Sequence, residues 1–209
     1  MNTDPAKGLV FGDYDADGFP HSAMFVGAWT EIPKNYCNGL FSVGTYTFQK
    51  YFSRYVTAII VPNGVTTIDE AVFYNCSSLV SITLPDNDIS IGLRSFAGVG
   101  CQEIIFKKNV TFSERMCFDG CKDLVRFVVG GTINAITQNA FKNCKNVILY
   151  DFSHCVEIPP LYDVASLGHA SGCVIRIPAA LSDTTLGEGN GWESETNWSA
   201  LTDIVWEVI

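Results

Sequence analysis

No run in this chain is long and apolar enough to cross a bilayer as a helix. Its longest apolar runs, such as residues 56–61 and 147–149, are strand-sized, whereas a spanning helix needs about 20 residues. Membrane insertion is therefore not expected. Basic residues are few: 13 Lys and Arg stand against 22 Asp and Glu, giving a net charge of −9, and Lys107–Lys108 is the basic doublet of note. Without a basic stripe to displace counterions, no nucleic-acid partner is expected. Residues 1–8 also lack a charged start followed by an apolar segment, which favours the cytoplasm or a virus particle over secretion. Enzyme signatures are missing too. There is no Gly-x-Ser-x-Gly, phosphate loop or dinucleotide fingerprint. The three histidines, His21, His154 and His169, fall in no frame with a nucleophile and an acid. The expectation is a protein that is not an enzyme and needs no cofactor.

What the chain does have is a repeat. Phe73, Phe96, Phe118 and Phe141 follow one another at steps of 23, 22 and 23 residues. Three of them open the phrase Phe-x-x-Cys, ending at Cys76, Cys121 and Cys144. Each leads into the spacing Leu-x-x-Ile-x-Leu: Leu79/Ile82/Leu84, Cys101/Ile104/Phe106, Leu124/Phe127/Val129 and Val147/Tyr150/Phe152. One unit is a residue short, which accounts for the step of 22. Val56/Ile59/Val61 and Ile175/Ile177 are partial units before and after. An apolar pair precedes the Phe at Val65/Ile68 and Ile133/Ile136, and Phe112 replaces the missing Ile at Ser113. A period of about 20–29 residues belongs to leucine-rich architectures, with one short strand and one irregular or helical segment per unit. The alternating Ile-x-Leu part is a strand with one buried face. A single unit cannot bury its own apolar side, so stacking must supply the core.

The stretch Val65-Thr-Thr-Ile-Asp-Glu-Ala-Val-Phe-Tyr-Asn-Cys-Ser-Ser-Leu-Val-Ser-Ile-Thr-Leu-Pro85 resembles the BspA-type leucine-rich repeat, and the likeness runs over residues 32–152. The tail Ile175-Arg-Ile-Pro-Ala-Ala-Leu-Ser-Asp, with Thr196-Asn-Trp-Ser-Ala-Leu-Thr-Asp-Ile204, is similar to the terminal segment common in such proteins. The resemblance implies a leucine-rich-repeat-like solenoid and a tendency to bind, without naming a substrate. Proteins of this kind occur mainly in bacteria, their phages and some protozoa, and many are surface adhesins. A partner is therefore expected to be a protein or a surface glycan. The alternative is a structural or accessory component of a phage- or prophage-encoded assembly.

Three segments are expected: a β-hairpin cap over residues 1–31, the repeats over residues 32–178, and a mixed cap over residues 179–209. The hairpin is read in residues 8–28 around the polar turn Asp13-Tyr-Asp-Ala-Asp-Gly18. A degenerate unit with an insertion through residues 45–53 follows. At the far end come a Gly-rich loop at 187–191, a short helix opening at Asn197 and a last strand over 204–209. Asp13, Asp15 and Asp17 before Gly18 form a weak candidate calcium site. Loop position 12, which a calcium-binding hand fills with Glu, falls on Met24, and an Asp-Gly hairpin turn accounts for the same residues. The eight cysteines contain no Cys-x-x-Cys pair, and three share one phase of the repeat. They are expected to be small reduced core residues and not a zinc site.

The phase also assigns the outward residues. If Ile82 and Leu84 point in, one outward column is Ala58, Ser81, Glu103, Arg126, Leu149 and Val174. The other is Ile60, Thr83, Ile105, Val128, Asp151 and Arg176. Glu103 then lies beside Arg126, and Asp151 beside Arg176. From these columns Ile60, Thr83, Glu103, Ile105, Arg126, Val128, Leu149, Asp151 and Arg176 are the candidate binding residues, because an apolar strip exposed on a sheet is either covered or used.

Overall fold

The computed structural model describes residues 8–18, 20–32, 42–43, 46–47, 55–183, 191–192, 195 and 197–209. The chain is built from short strands. Those of the N-terminal part are β1 (Gly8–Tyr14), β2 (Pro20–Val26), β3 (Glu31–Ile32), β4 (Ser42–Val43), β5 (Tyr46–Thr47), β6 (Ala58–Ile60), β7 (Thr67–Ile68) and β8 (Ser81–Thr83). They are followed by β9 (Ile89–Ile91), β10 (Glu103–Phe106), β11 (Val110–Phe112), β12 (Arg126–Val129), β13 (Leu149–Asp151), β14 (Cys173–Ile177) and β15 (Ile204–Val208). Helical structure among the described residues is slight, with single 3-10 turns at Val164–Ser166 and Ala179–Leu181. Prolines stop several strands: Pro62, Pro85 and Pro178 follow the last inward residues Val61, Leu84 and Ile177 and offer the ladder no N–H.

Each full repeat contributes two strands, and each kind of strand pairs with its own kind. The Ile-x-Leu strands form the orders β1-β2-β6-β8 and β10-β12-β13-β14-β15. All their pairings are parallel except β1 with β2. The strands before each Phe form a second parallel order, β3-β7-β9-β11, which isolated bridges Val110↔Ile133 and Ile136↔Leu161 carry onward. Phe112 pairs with Ile91, and Ile91 with Ile68, so Phe112 does occupy the Ile position while the Ser113 hydroxyl donates to the Ile91 carbonyl.

Between these strands lies the core. Phe73, Phe96, Phe118 and Phe141 are wholly buried and stack in sequence, with ring centroids 5.2, 5.1 and 5.2 Å apart. Burying a Phe contributes about 1.5–3 kcal/mol and each aromatic pair about 0.5–1.5 kcal/mol more. The repeat thus creates its stability between units and not within one. The same holds for the cysteine column: the Cys121 thiol donates to the Phe96 carbonyl and Cys144 to the Phe118 carbonyl, each one repeat back. The seven described cysteines carry no disulfide.

The turn around each Phe needs two left-handed residues. The position two before it is Ala71, Arg94, Met116 or Asn139, and the position two after it is Asn75, Gly98, Gly120 or Asn143, all with φ between 54° and 73°. Asn and Gly suit the second position because they enter this region at little cost. The unit that is a residue short is the one holding Phe96. Its turn closes through Gly100, where a Cβ would collide with the Ser77 carbonyl. There the strand ladder is interrupted: β8 and β10 are successive in the repeat, yet they end separate sheets.

At the N-terminal end the hairpin extends the sheet. β2 runs parallel to β6 in register Ser22↔Ala58, Ala23↔Ile59 and Met24↔Ile60, and β1 adds an antiparallel strand outside it. The expected insertion at 45–53 lies outside the described residues apart from Tyr46–Thr47, which pairs antiparallel with Ser42–Val43. The loop expected at 187–191 lies outside them except for Gly191. Where a helix was expected at Asn197, residues 197–200 form a turn, with the Ser199 amide on the Glu195 carbonyl. The last strand is present as β15.

Candidate interaction face

Outward columns arise because residue i and its register partner point the same way on a pleated ladder. The observed pairs are Ala58↔Ser81 and Ile60↔Thr83, then Glu103↔Arg126↔Leu149↔Val174 and Ile105↔Val128↔Asp151↔Arg176. They match both expected columns within each sheet, and no register pair joins β8 to β10. β2 and β15 lengthen them with Ser22 and Met24 at one end and Val205 and Glu207 at the other.

The two ends of this face differ. On β1, β2 and β6 the outward apolar residues are open, and so is Ile105 on β10: Val10 lies in register with Met24, Met24 is 43% exposed, Ile60 46% and Ile105 42%. Thr83 on β8 is also exposed. Val10, Met24, Ala58 and Ile60 line a shallow groove with Ser22 and Asp13. A second apolar line, Val80, Val125 and Ile148, runs just before the strands.

From β10 onwards the face is ionic. The Arg126 guanidinium lies 2.6 Å from the Glu103 carboxylate. Arg176 binds Asp151 at 2.8 Å through Nη1 and Glu207 at 3.0 Å through Nε. Asp151 also accepts the Ser153 hydroxyl at 2.6 Å and its amide at 3.1 Å. Burial opposes this carboxylate, yet the two Ser153 bonds and Arg176 outweigh it and hold the Asp151 carboxyl below its usual range. Asp151 is only 9% exposed, while Val128 and Leu149 are half-buried. Asp151 and Arg176 are therefore placed in the expected column but spend their polar atoms on each other and on neighbours. Glu103 and Arg126 form a more exposed ion pair.

Sequence reasoning missed Met24, Val10 and Glu207. The signal for Met24 and Val10 was the alternation in residues 8–26, and for Glu207 the phase of the last strand. The pairing that brings them to this face is long-range and had no local mark.

The Asp-rich turn forms no ligand cluster. Among the described residues no group of three His, Cys, Asp or Glu could hold a metal ion. Asp15 Oδ1 accepts the Asp17 amide at 3.0 Å, Oδ2 lies 3.2 Å from His21 Nε2, and Asp13 takes a left-handed φ of 52°. These contacts are those of an Asx turn closing a hairpin. The seven described thiols are buried. Burial pushes Cys76, Cys101, Cys117 and Cys173 up to about 12 and Cys155 up to about 11.

Short parallel strands recurring at 22–23 residues, with a phenylalanine stack behind them, define the class of leucine-rich repeat proteins. Residues 41–159 match the family model described as BspA type leucine rich repeat region, in six copies, and the chain belongs to that family. Among solved structures it is similar to a leucine rich cell surface protein from Faecalibacterium prausnitzii, with 13% identity, 98% of this chain and 94% of that chain covered, and a TM-score of 0.22. No curated protein matches the chain. Leucine-rich repeat proteins are generally protein-interaction or surface modules and typically non-catalytic. No described helix is long and apolar enough to cross a membrane.

Proposed function

We infer that this chain is a non-catalytic recognition module, a capped solenoid that binds a partner protein through the neutral half of its sheet face. The observation carrying this reading is the exposed run of Val10, Met24 and Ile60 on the paired strands β1, β2 and β6, with Ile105 exposed at the same phase beyond the interruption. The charged side chains Glu103, Arg126, Asp151, Arg176 and Glu207 on the rest of the face are already paired with one another, so apolar burial supplies the driving force, and a protein suits it better than a glycan. Affinity capture with the full chain, followed by identification of bound proteins, tests it. The variant carrying Ile60→Asp and Ile105→Asp should lose the captured partner by at least tenfold while melting normally. A partner retained in full by the folded double variant would sink the reading.

Among the described residues no strand pairs with the far side of β15, which favours a second reading, a component of a larger assembly such as a phage- or prophage-encoded particle, within a cell or a virion. Sedimentation that stays monomeric up to high concentration would count against self-assembly.

A further inference from the structure

Among the described residues β15 closes the five-stranded order, and no strand pairs with its far side. Asp203 and Ile209 turn their backbone groups to the β14 side: the Asp203 carbonyl accepts the Gly172 amide, and Ile209 exchanges bonds with Ile177 and Ala179. In a parallel ladder the alternation then aims the N–H and C=O groups of Ile204, Trp206 and Val208 away from β14. Native edges are usually guarded by lysine, proline or a bulge. The five residues Ile204-Val-Trp-Glu-Val208 contain no lysine or proline, and they pair with β14 one to one.

Two patterns stop one strand early. The inward columns Cys173–Ile204, Tyr150–Ile175–Trp206 and Ile177–Val208 are wholly buried up to β14, but on β15 Ile204 and Trp206 are half-buried and Val208 is exposed. The outward column Asp151–Arg176–Glu207 alternates in charge, each member bonded to the next. It ends on an anion whose side chain is 44% exposed. β1, the strand at the opposite end of this face, has no such charge column, since its outward Val10 continues an apolar line.

We propose that the open edge of β15 takes up an extended strand of a partner protein, parallel to β15. That strand carries an arginine or lysine in register with Glu207 and apolar residues in register with Val205 and Trp206. Its backbone satisfies Ile204, Trp206 and Val208, its cation extends the charge alternation, and its inward side chains finish burying Trp206. The strand β14, Cys-Val-Ile-Arg-Ile, already meets this description on the other side of β15. This edge is separate from the neutral sheet face, and either reading stands if the other falls.

The probe is a fluorescent peptide spanning residues 171–178 with Cys173→Ser, titrated with the full chain by anisotropy. Saturable binding is expected, weakened at least tenfold when the peptide carries Arg176→Glu. In the chain, Val208→Pro removes an edge-facing amide without touching the β14 ladder and should abolish binding. Glu207→Gln should bring the two peptides within threefold of each other, which keeps the idea testable if the proline variant fails to fold. Absence of saturation with the unaltered chain, equal binding of the two peptides, or undiminished binding by folded Val208→Pro would overturn it. A dimer of the chain alone that Val208→Pro dissolves would assign the edge to a second copy and overturn it as well.

Discussion

The sheet face has two halves, carried by two ladders that share one repeat phase. In both, residues at the same outward phase stand in parallel register, so the backbone treats them alike. In the half from β2 to β10 the outward residues Met24, Ile60 and Ile105 keep over two-fifths of their surface in water. In the half from β12 to β15, Asp151, Arg176 and Glu207 are joined side to side. The difference teaches that an outward column is not in itself a binding site. An ionic column contributes mainly to the strands that carry it, whereas an apolar column leaves surface that only another molecule can bury.

The contrast can be broken most sharply at Arg176. Removing one partner of a buried ion pair costs about 3–5 kcal/mol. Because the Arg176 and Glu207 side chains are 28% and 44% exposed, about 2 kcal/mol is expected for Arg176→Ala, measured as the loss in urea-unfolding free energy. A loss below about 0.5 kcal/mol would mean that the ionic half contributes no more than an ordinary surface pair.

Acid titration gives the next effect. The Asp151 carboxyl is lowered on folding, so its stabilisation is fully present above the unfolded value near pH 4 and is lost as pH falls through the lower folded value. Asp151→Asn should flatten the acid limb of the stability curve, and an unchanged limb would remove Asp151 from the account.

The core beneath both halves should respond to base instead. Thiols raised by burial to about 12 favour folding at neutral pH. That contribution is present below the unfolded value near 9 and fades as pH rises towards 12. At pH 8 the seven described thiols should react with a maleimide only as fast as the chain unfolds. Immediate labelling of several would contradict their burial.

The smallest stability effect belongs to the neutral half. Ile60→Asp should change unfolding free energy by only about 0.5 kcal/mol, as exposed substitutions do. A loss of 2 kcal/mol or more would show that Ile60 is covered in solution.

Much of this was legible in advance, and the reason is the repeat. Four phenylalanines in one phase imply a stack, because identical units can share a core only by superposition. From that phase followed the register of the outward columns and the Glu103–Arg126 and Asp151–Arg176 contacts. The joining of β2 to β6 was not legible, since Ser22 and Ala58 are 36 residues apart and nothing local marks their pairing. Nor was the burial of Asp151, which depends on Ser153 and on a strand 25 residues further along. The hairpin itself was expected in residues 8–28, whereas its joining to the sheet through β2 and β6 came from the structure.

By itself the sequence determined the repeat unit, its inward and outward phases and the family, because these depend on periodicity and side-chain type. The tertiary structure alone decided which outward residues remain free, where the ladder is interrupted and which edge stays open. Those outcomes depend on what lies next to a strand in space, which side-chain pattern along one strand does not encode.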